Sequence, residues 1–246
     1  GIMRGYQRTG YRWLRTLEAY HLGGILADDM GLGKTLQILA VLLSAKMEGK
    51  QGTSIVIAPA SLVYNWGEEI KSFAPELSWN FITGTQEERR ERLERYEEYD
   101  VLLTSYDLLK RDVEYYEDKE FFYQIIDEAQ YIKNHTTAAA KAVKVIRSRT
   151  RFALTGTPIE NRLSELWSIF DFLIPGYLYG YDVFRNEFEA PIVKNEDQEA
   201  LERLQRMTAP FILRRMKENV LRDLPEKLEE NRYVKFESEQ QKLYDA

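Results

Sequence analysis

A lysine and a threonine follow two glycines at the start of a predicted helix. Gly31, Gly33, Lys34 and Thr35 come after the apolar run 24–27, which we interpret as a buried strand. Glycine lets the backbone turn its N–H groups toward phosphate oxygens, and the helix start adds its positive dipole end. The lysine supplies charge for the β- and γ-phosphates of a nucleoside triphosphate, and the threonine hydroxyl can bind Mg²⁺. We therefore predict a phosphate loop for a nucleoside triphosphate and Mg²⁺. The predicted site also includes Asp29, Met30 and Leu32.

The loop departs from the general phosphate-loop pattern at one position. That pattern places a glycine five residues before Gly33, where this chain has Asp28. The alternative interpretation is a glycine-rich turn between a strand and a helix, with a chance lysine. The context favours the phosphate loop, because the following segment carries apolar residues along one helical side. These residues are Leu36, Ile38, Leu39, Leu42 and Leu43.

Two adjacent carboxylates end a second apolar run. Asp127 and Glu128 follow the apolar segment 121–126. Open α/β sheets place ligand groups at the carboxyl ends of their strands. We predict that Asp127 holds Mg²⁺ and that Glu128 orients and polarises the attacking water. Alone, this pair also suits the start of a helix or a turn, but the phosphate loop strengthens the catalytic interpretation.

Composition is that of an ordinary globular chain. The 246 residues are 44% hydrophobic and 30% charged, with a net charge of −6. No apolar run is long enough for a membrane span, so we predict no membrane partner. The absence of cysteine excludes disulfides and thiolate metal sites, and His21 and His135 lie far apart. The negative charge means that nucleic acid would have to bind at a local face.

Short apolar runs alternate with helical patterns along the first 174 residues. Near-continuous apolar strands separated by helices predict an α/β fold with a mostly parallel sheet covered by helices. We predict N-caps at Ser61, Thr85 and Thr136, and a surface loop or edge at 112–120. The predicted strands are 24–27, 54–58, 79–83, 101–104, 123–127 and 152–155. The predicted helices are 6–20, 34–48, 61–73, 85–97, 136–148 and 163–173.

The pattern changes after residue 174, where Pro175 and Gly176 interrupt the chain. Helical patterns at 181–190 and 196–207 follow, and the next strand pattern is at 230–236. We predict a nucleotide-binding lobe at 1–174, a helical insertion at 175–225, and the start of a further connection at 226–246. The chain stops in a new helix pattern at 239–246, so we expect a longer protein.

Four ordered sequence blocks resemble the motifs of helicase superfamily two, and their residues resemble those of the Swi/Snf-type DNA-dependent ATPases. These blocks are 28–35, 57–62, 127–130 and 154–158, with further support at 4–7, 161–167 and 211–220. The resemblance implies a RecA-like P-loop lobe of a DNA-dependent ATPase, followed by a helical protrusion. It also implies a second RecA-like lobe in the same polypeptide, which supplies the arginines that stabilise charge on the γ-phosphate.

The resemblance implies further roles for individual residues. Gln7 reads the adenine edge, and Gln130, Thr155 and Thr157 couple hydrolysis to the DNA groove. The expected partners are double-stranded DNA and the protein–DNA complexes that the motor remodels. The residues that match strand-gripping motifs are Pro59, Ala60, Ser61, Thr104, Ser105 and Tyr106. Such a protein would lie in the cytoplasm (nucleoid) of a bacterium or in the nucleus of a eukaryote.

Several residues have a second interpretation. Gln7 alone reads as an exposed helix residue, and 59–61 as a turn with an N-cap. Trp66 and Trp167 suit core or interlobe packing better than base stacking. The basic cluster of Arg214, Arg215 and Lys217 suits DNA, the second lobe or a solvated face. Two alternatives to a duplex-DNA motor are a strand-separating helicase for DNA or RNA, and a nucleotide-gated scaffold without hydrolysis.

Overall fold

The computed structural model describes residues 2–156 and 162–220. Thr157, the predicted strand at 230–236, the predicted helix at 239–246 and the segment 226–246 lie outside the described residues. In the described part, no helix is long and apolar enough to cross a membrane.

Within the described residues, seven parallel strands form one sheet, in the order β3-β4-β2-β5-β6-β1-β7. This arrangement confirms the predicted α/β fold with a mostly parallel sheet. The central strands are buried along almost their whole length, as a sheet covered on both faces requires. The strands are β1 Gly24–Leu26, β2 Ser54–Ala58, β3 Trp79–Phe81, β4 Val101–Ser105, β5 Glu120–Ile126, β6 Arg147–Leu154 and β7 Ile212–Leu213.

Helices connect and cover these strands, and six of them match the predicted segments to within a few residues. The first seven are α1 Gly5–Ala19, α2 Lys34–Met47, α3 Ala60–Phe73, α4 Gln86–Glu94, α5 Tyr106–Arg111, α6 Ala138–Val145 and α7 Leu163–Leu173. The later helices of the described part are α8 Tyr181–Phe184, α9 Ala190–Asn195, α10 Gln198–Thr208 and α11 Lys217–Val220.

One of the three predicted N-caps is confirmed. Thr85 caps α4, and its hydroxyl accepts a hydrogen bond from the Glu88 N–H. The prediction of Thr136 is wrong by one residue, because Thr137 caps α6 and accepts from the Ala140 N–H. The prediction of Ser61 is also wrong, because α3 begins at Ala60 after a proline, whose fixed φ suits a helix start.

The segment 112–120 is more buried than a surface loop. A short 3₁₀-helix spans Val113–Tyr116, and Tyr116 is fully buried. Asp112 is buried beside Arg89 of α4, and the guanidinium Nη2 lies 2.8 Å from the carboxylate. An ion pair hidden inside the protein gives this acidic stretch a structural role that its composition did not predict.

The two predicted helical segments at 181–190 and 196–207 are helical, but the chain returns to the sheet earlier than expected. β7 pairs with β1 through Ile25–Ile212 and Leu26–Leu213. The expectation of no strand before 230 is therefore wrong. Two residues are too short to show alternating polarity, so their strand depends on pairing with β1. As a result, the residues after the helical insertion lie beside the strand that leads into the phosphate loop.

Candidate nucleotide site

The predicted phosphate loop, acidic pair and threonine lie at the same edge of the sheet. Strands β5, β6 and β1 are adjacent, and each ends shortly before a predicted site residue. β1 leads into the loop, β5 ends before Asp127, and β6 ends before Thr155. Parallel strands bring their carboxyl ends together, so residues separated by more than 120 positions share one site.

The loop has the backbone conformation that its glycines predict. Gly31 and Gly33 have φ of 85° and 77°, in the left-handed region that glycine adopts without a steric cost. Lys34 begins α2, and its Nζ donates to the Asp28 carbonyl oxygen at 2.7 Å. Burial lowers the pKa of Lys34, while the charges of Asp127 and Asp28 oppose that shift. A partly buried ammonium group inside a phosphate loop is suited to a strong acceptor such as a phosphate oxygen.

Asp127 is held by the protein through both carboxylate oxygens. The Trp66 indole Nε1 donates to Oδ2 at 2.9 Å, and the Glu128 N–H donates to Oδ1 at 2.9 Å. Burial raises the pKa of Asp127, and these two hydrogen bonds limit the rise. The Tyr106 hydroxyl donates to the Asp127 carbonyl oxygen at 2.7 Å and fixes the backbone below the carboxylate. Trp66 is buried, as predicted, but its contact with Asp127 was not predicted.

Glu128 is joined to the end of β6 through one amide side chain. The Gln130 Nε2 donates to the Glu128 carboxylate at 2.6 Å, and the Thr155 hydroxyl lies 3.2 Å from Gln130 Oε1. Glu128 has φ of 50°, which is unfavourable for a residue other than glycine. Such conformations persist where neighbouring contacts fix them, and they occur often at functional sites.

Helix α1 covers the other side of the loop. Tyr6 Oη and Gln7 Nε2 both donate to the Leu32 carbonyl oxygen, at 3.0 and 3.1 Å. Gln7 is buried, so the interpretation of an exposed helix residue is wrong. Its Oε1 accepts from the Arg4 N–H, so the amide is fixed in orientation beside the loop.

Within the basic cluster near the end of the described chain, Lys217 is exposed, but Arg215 is paired inside the protein. Arg215 forms an ion pair with Asp28, with Nε 2.9 Å from Oδ1 and Nη2 beside Oδ2. Nη2 also donates to Gln37 Oε1 at 2.8 Å, and Nη1 donates to the Tyr6 carbonyl oxygen. Asp28, the residue that replaces the expected glycine, is therefore fully buried and paired. A separation of 187 positions hid this pair from sequence reasoning.

The predicted DNA contacts fall into two groups with different exposure. Ala60 and Ser61 are exposed at the start of α3, and Pro59 before them is buried. Thr104, Ser105 and Tyr106 have buried side chains with internal partners. The exposed pair can present backbone and hydroxyl groups to a ligand, whereas the buried trio makes hydrogen bonds inside the protein. DNA contact at all six positions stays a prediction.

The arrangement fits a nucleoside triphosphate with Mg²⁺. Lys34 and the N–H groups of the loop suit the phosphates, while Thr35 and Asp127 would hold Mg²⁺. A buried carboxylate whose pKa is raised gains from a nearby cation, which supports the assignment of Asp127. Among residues 2–156 and 162–220, no cluster of three acidic or histidine side chains offers an all-protein metal site. Magnesium in nucleotide sites is usually bound by one or two carboxylates together with phosphate oxygens and water.

The chain matches known proteins over nearly its whole length. The SNF2-related domain matches residues 6–246. A Mycoplasma genitalium protein named as an uncharacterized ATP-dependent helicase is 43% identical over 99% of this chain and 23% of its own length. The TATA-binding protein-associated factor MOT1 of Saccharomyces cerevisiae is 38% identical over 98% of this chain and 14% of its own. The Sulfolobus solfataricus SWI2/SNF2 ATPase core solved with double-stranded DNA is 45% identical, with a TM-score of 0.85, over 99% of this chain and 51% of that one.

Proposed function

The chain belongs to the SNF2-related domain family, and from this premise we propose that it is the ATP-binding lobe of a motor driven along double-stranded DNA. The motor would remodel protein–DNA complexes together with a second RecA-like lobe of the same polypeptide. The chain spans about a quarter of the length of the Mycoplasma relative and about half of the length of the solved core.

The observation that carries the proposal is the continuous contact from Glu128 through Gln130 to Thr155, beside the phosphate loop. Glu128 would orient the water that attacks the γ-phosphate, while Lys34 binds the ground-state phosphates. Mg²⁺ would supply charge for the developing negative oxygens. Gln130 and Thr155 would transmit the state of the nucleotide to the DNA-facing edge of the lobe.

Hydrolysis by this lobe alone should be slow. The arginines that the family places in the second lobe stabilise transition-state charge, and equivalent groups are worth roughly 10³-fold or more. Because hydrolysis would depend on arginines of the second lobe, its rate would report whether the two lobes are aligned. DNA that aligns the lobes would raise that rate.

DNA binding is proposed at the edge that carries Ala60 and Ser61. Hydroxyl and backbone N–H groups there suit phosphate contacts, which position DNA without reading its sequence. The Sulfolobus core, solved with double-stranded DNA, supports a duplex as the substrate. A net charge of −6 makes strong binding by this lobe alone unfavourable, so the second lobe would contribute.

The test is ATP hydrolysis by the full-length protein with no DNA, with duplex DNA and with single strands. We expect duplex DNA to give the greatest stimulation, with little dependence on sequence and a steep fall as salt rises. Stimulation by single strands alone, with unwinding of a labelled duplex, would favour a strand-separating helicase. Nucleotide binding without hydrolysis under every condition would favour a scaffold.

A further inference from the structure

The segment that follows the helical insertion is bound along the entrance of the phosphate loop. The Ala27 N–H donates to the Leu213 carbonyl oxygen at 2.7 Å, and the Asp29 N–H donates to the Arg215 carbonyl oxygen at 3.0 Å. The Lys217 N–H then donates to the Asp29 carboxylate at 3.0 Å. The pairing of β1 with β7 therefore continues beyond the sheet, onto the first residues of the loop.

The Arg215 side chain lies at the centre of this contact. It forms a two-oxygen ion pair with Asp28, and the two side chains are 13% and 0% exposed. A guanidinium that binds both oxygens of a carboxylate fixes orientation as well as charge. Asp28 also accepts from Gln37 Nε2 at 3.3 Å, and the same amide donates to the Gly33 carbonyl oxygen at 3.1 Å. Arg215 is thus connected to both ends of the loop.

Helix α1 is shaped to admit this arginine. A methyl group at Gly10 would lie 1.9 Å from Gln37 Oε1 and 2.8 Å from Arg215 Nη2. Any larger residue at position 10 would displace the cluster, so glycine is needed for the close approach. The Arg215 guanidinium also lies over the Tyr6 ring, 5.2 Å from its centroid, and Tyr6 in turn donates to Leu32 of the loop.

We infer that Arg215 is a positioning residue of the nucleotide site: its ion pair with Asp28 holds the phosphate loop in its triphosphate-binding shape. This inference rests on the proposed function, since it takes the loop to bind ATP. It explains why an aspartate replaces the glycine of the general pattern. It also makes the loop's shape depend on residues 212–217, so movement of that segment changes nucleotide affinity.

The test separates loop geometry from the burial of charge. Asp28→Asn and Arg215→Gln each leave one charged partner without its counterpart, so each lowers the melting temperature of the full-length protein. The double variant removes both charges and recovers much of that loss in melting temperature.

The affinity of the double variant for a fluorescent ADP should nevertheless stay about 10-fold weaker than that of the wild type, which corresponds to about 1.4 kcal/mol. Arg215→Lys keeps the charge without the two-oxygen fork and should show the same weakening with a smaller loss in melting temperature.

Arg206→Gln is the matched control. It breaks an exposed ion pair with Glu202 on α10, where the side chains are 70% and 65% exposed. It should change neither the melting temperature nor the affinity for fluorescent ADP. Wild-type affinity in the double variant would overturn the inference, because the pair would then serve folding alone. If duplex DNA failed to stimulate ATP hydrolysis by the wild type, the proposed motor function would be overturned instead. The binding measurement is independent of that result.

Discussion

Replacing Trp66 by phenylalanine tests whether the hydrogen bond to Asp127 serves catalysis. Trp66 is 2% exposed, and phenylalanine keeps a ring in its place while it removes the indole N–H. A hydrogen bond to a charged group contributes about 1.5–3 kcal/mol. At about 1.4 kcal/mol for each tenfold change in rate, the loss in kcat/KM should lie between about 10- and 150-fold.

The pH dependence gives a second measurement of the same bond. Burial raises the pKa of Asp127, and the Trp66 hydrogen bond opposes that rise by stabilising the charged form. Without the bond the pKa rises further, so the carboxylate is charged only at higher pH. The acid limb of kcat/KM, which reports the free enzyme, should therefore move to higher pH in Trp66→Phe.

Trp167→Phe is the control for the loss of a buried indole. Trp167 is 6% exposed, and its Nε1 donates to the Tyr179 carbonyl oxygen at 3.1 Å. Both variants should lose stability, as followed by thermal unfolding, but Trp167→Phe should keep its kcat/KM for ATP with saturating duplex DNA. If Trp66→Phe is folded and its kcat/KM lies within about twofold of wild type, the catalytic role of this hydrogen bond is refuted.

Three further predictions concern charged and amide groups. In the full-length protein, Lys34→Ala should lose both nucleotide binding and hydrolysis, whereas Glu128→Gln should lose hydrolysis and still bind ATP in a filter assay. Equal loss of binding in both variants would contradict these roles. Gln130→Ala should lower DNA-stimulated kcat about 10-fold, by loss of a charge-assisted hydrogen bond to Glu128, while ADP affinity stays unchanged. Asp112→Ala should lower the free energy of unfolding by about 3–5 kcal/mol in urea titrations, because Arg89 is left buried without its partner. A loss below about 1 kcal/mol would show that water reaches this arginine.

The sheet and the loop could be predicted because their signals are local. Apolar runs of four to eight residues mark buried parallel strands, and the spacing of Gly33, Lys34 and Thr35 defines a phosphate-binding turn. The acidic pair was predicted for the same reason, since Asp127 and Glu128 directly follow an apolar run. The structure brings these segments to one edge because parallel strands share their direction.

The missed contacts join residues that are distant in sequence. Trp66 contacts Asp127 across 61 positions, and Arg215 contacts Asp28 across 187. No local pattern in the sequence encodes such pairs. Residue type alone therefore suggested core packing for Trp66, and it left a solvated face among the alternatives for Arg215. Asp28 carried the available signal: a charged residue at a position that normally needs glycine requires a partner when it is buried.

Glu128 places stability and activity in opposition at a single residue. Its left-handed backbone costs on the order of 1 kcal/mol for a residue with a Cβ atom, and glycine or asparagine adopts it more easily. Selection for thermal stability alone would therefore favour replacing the carboxylate that we propose orients the attacking water. A thermostable variant of this lobe with a changed residue 128 would have gained its stability at the expense of hydrolysis.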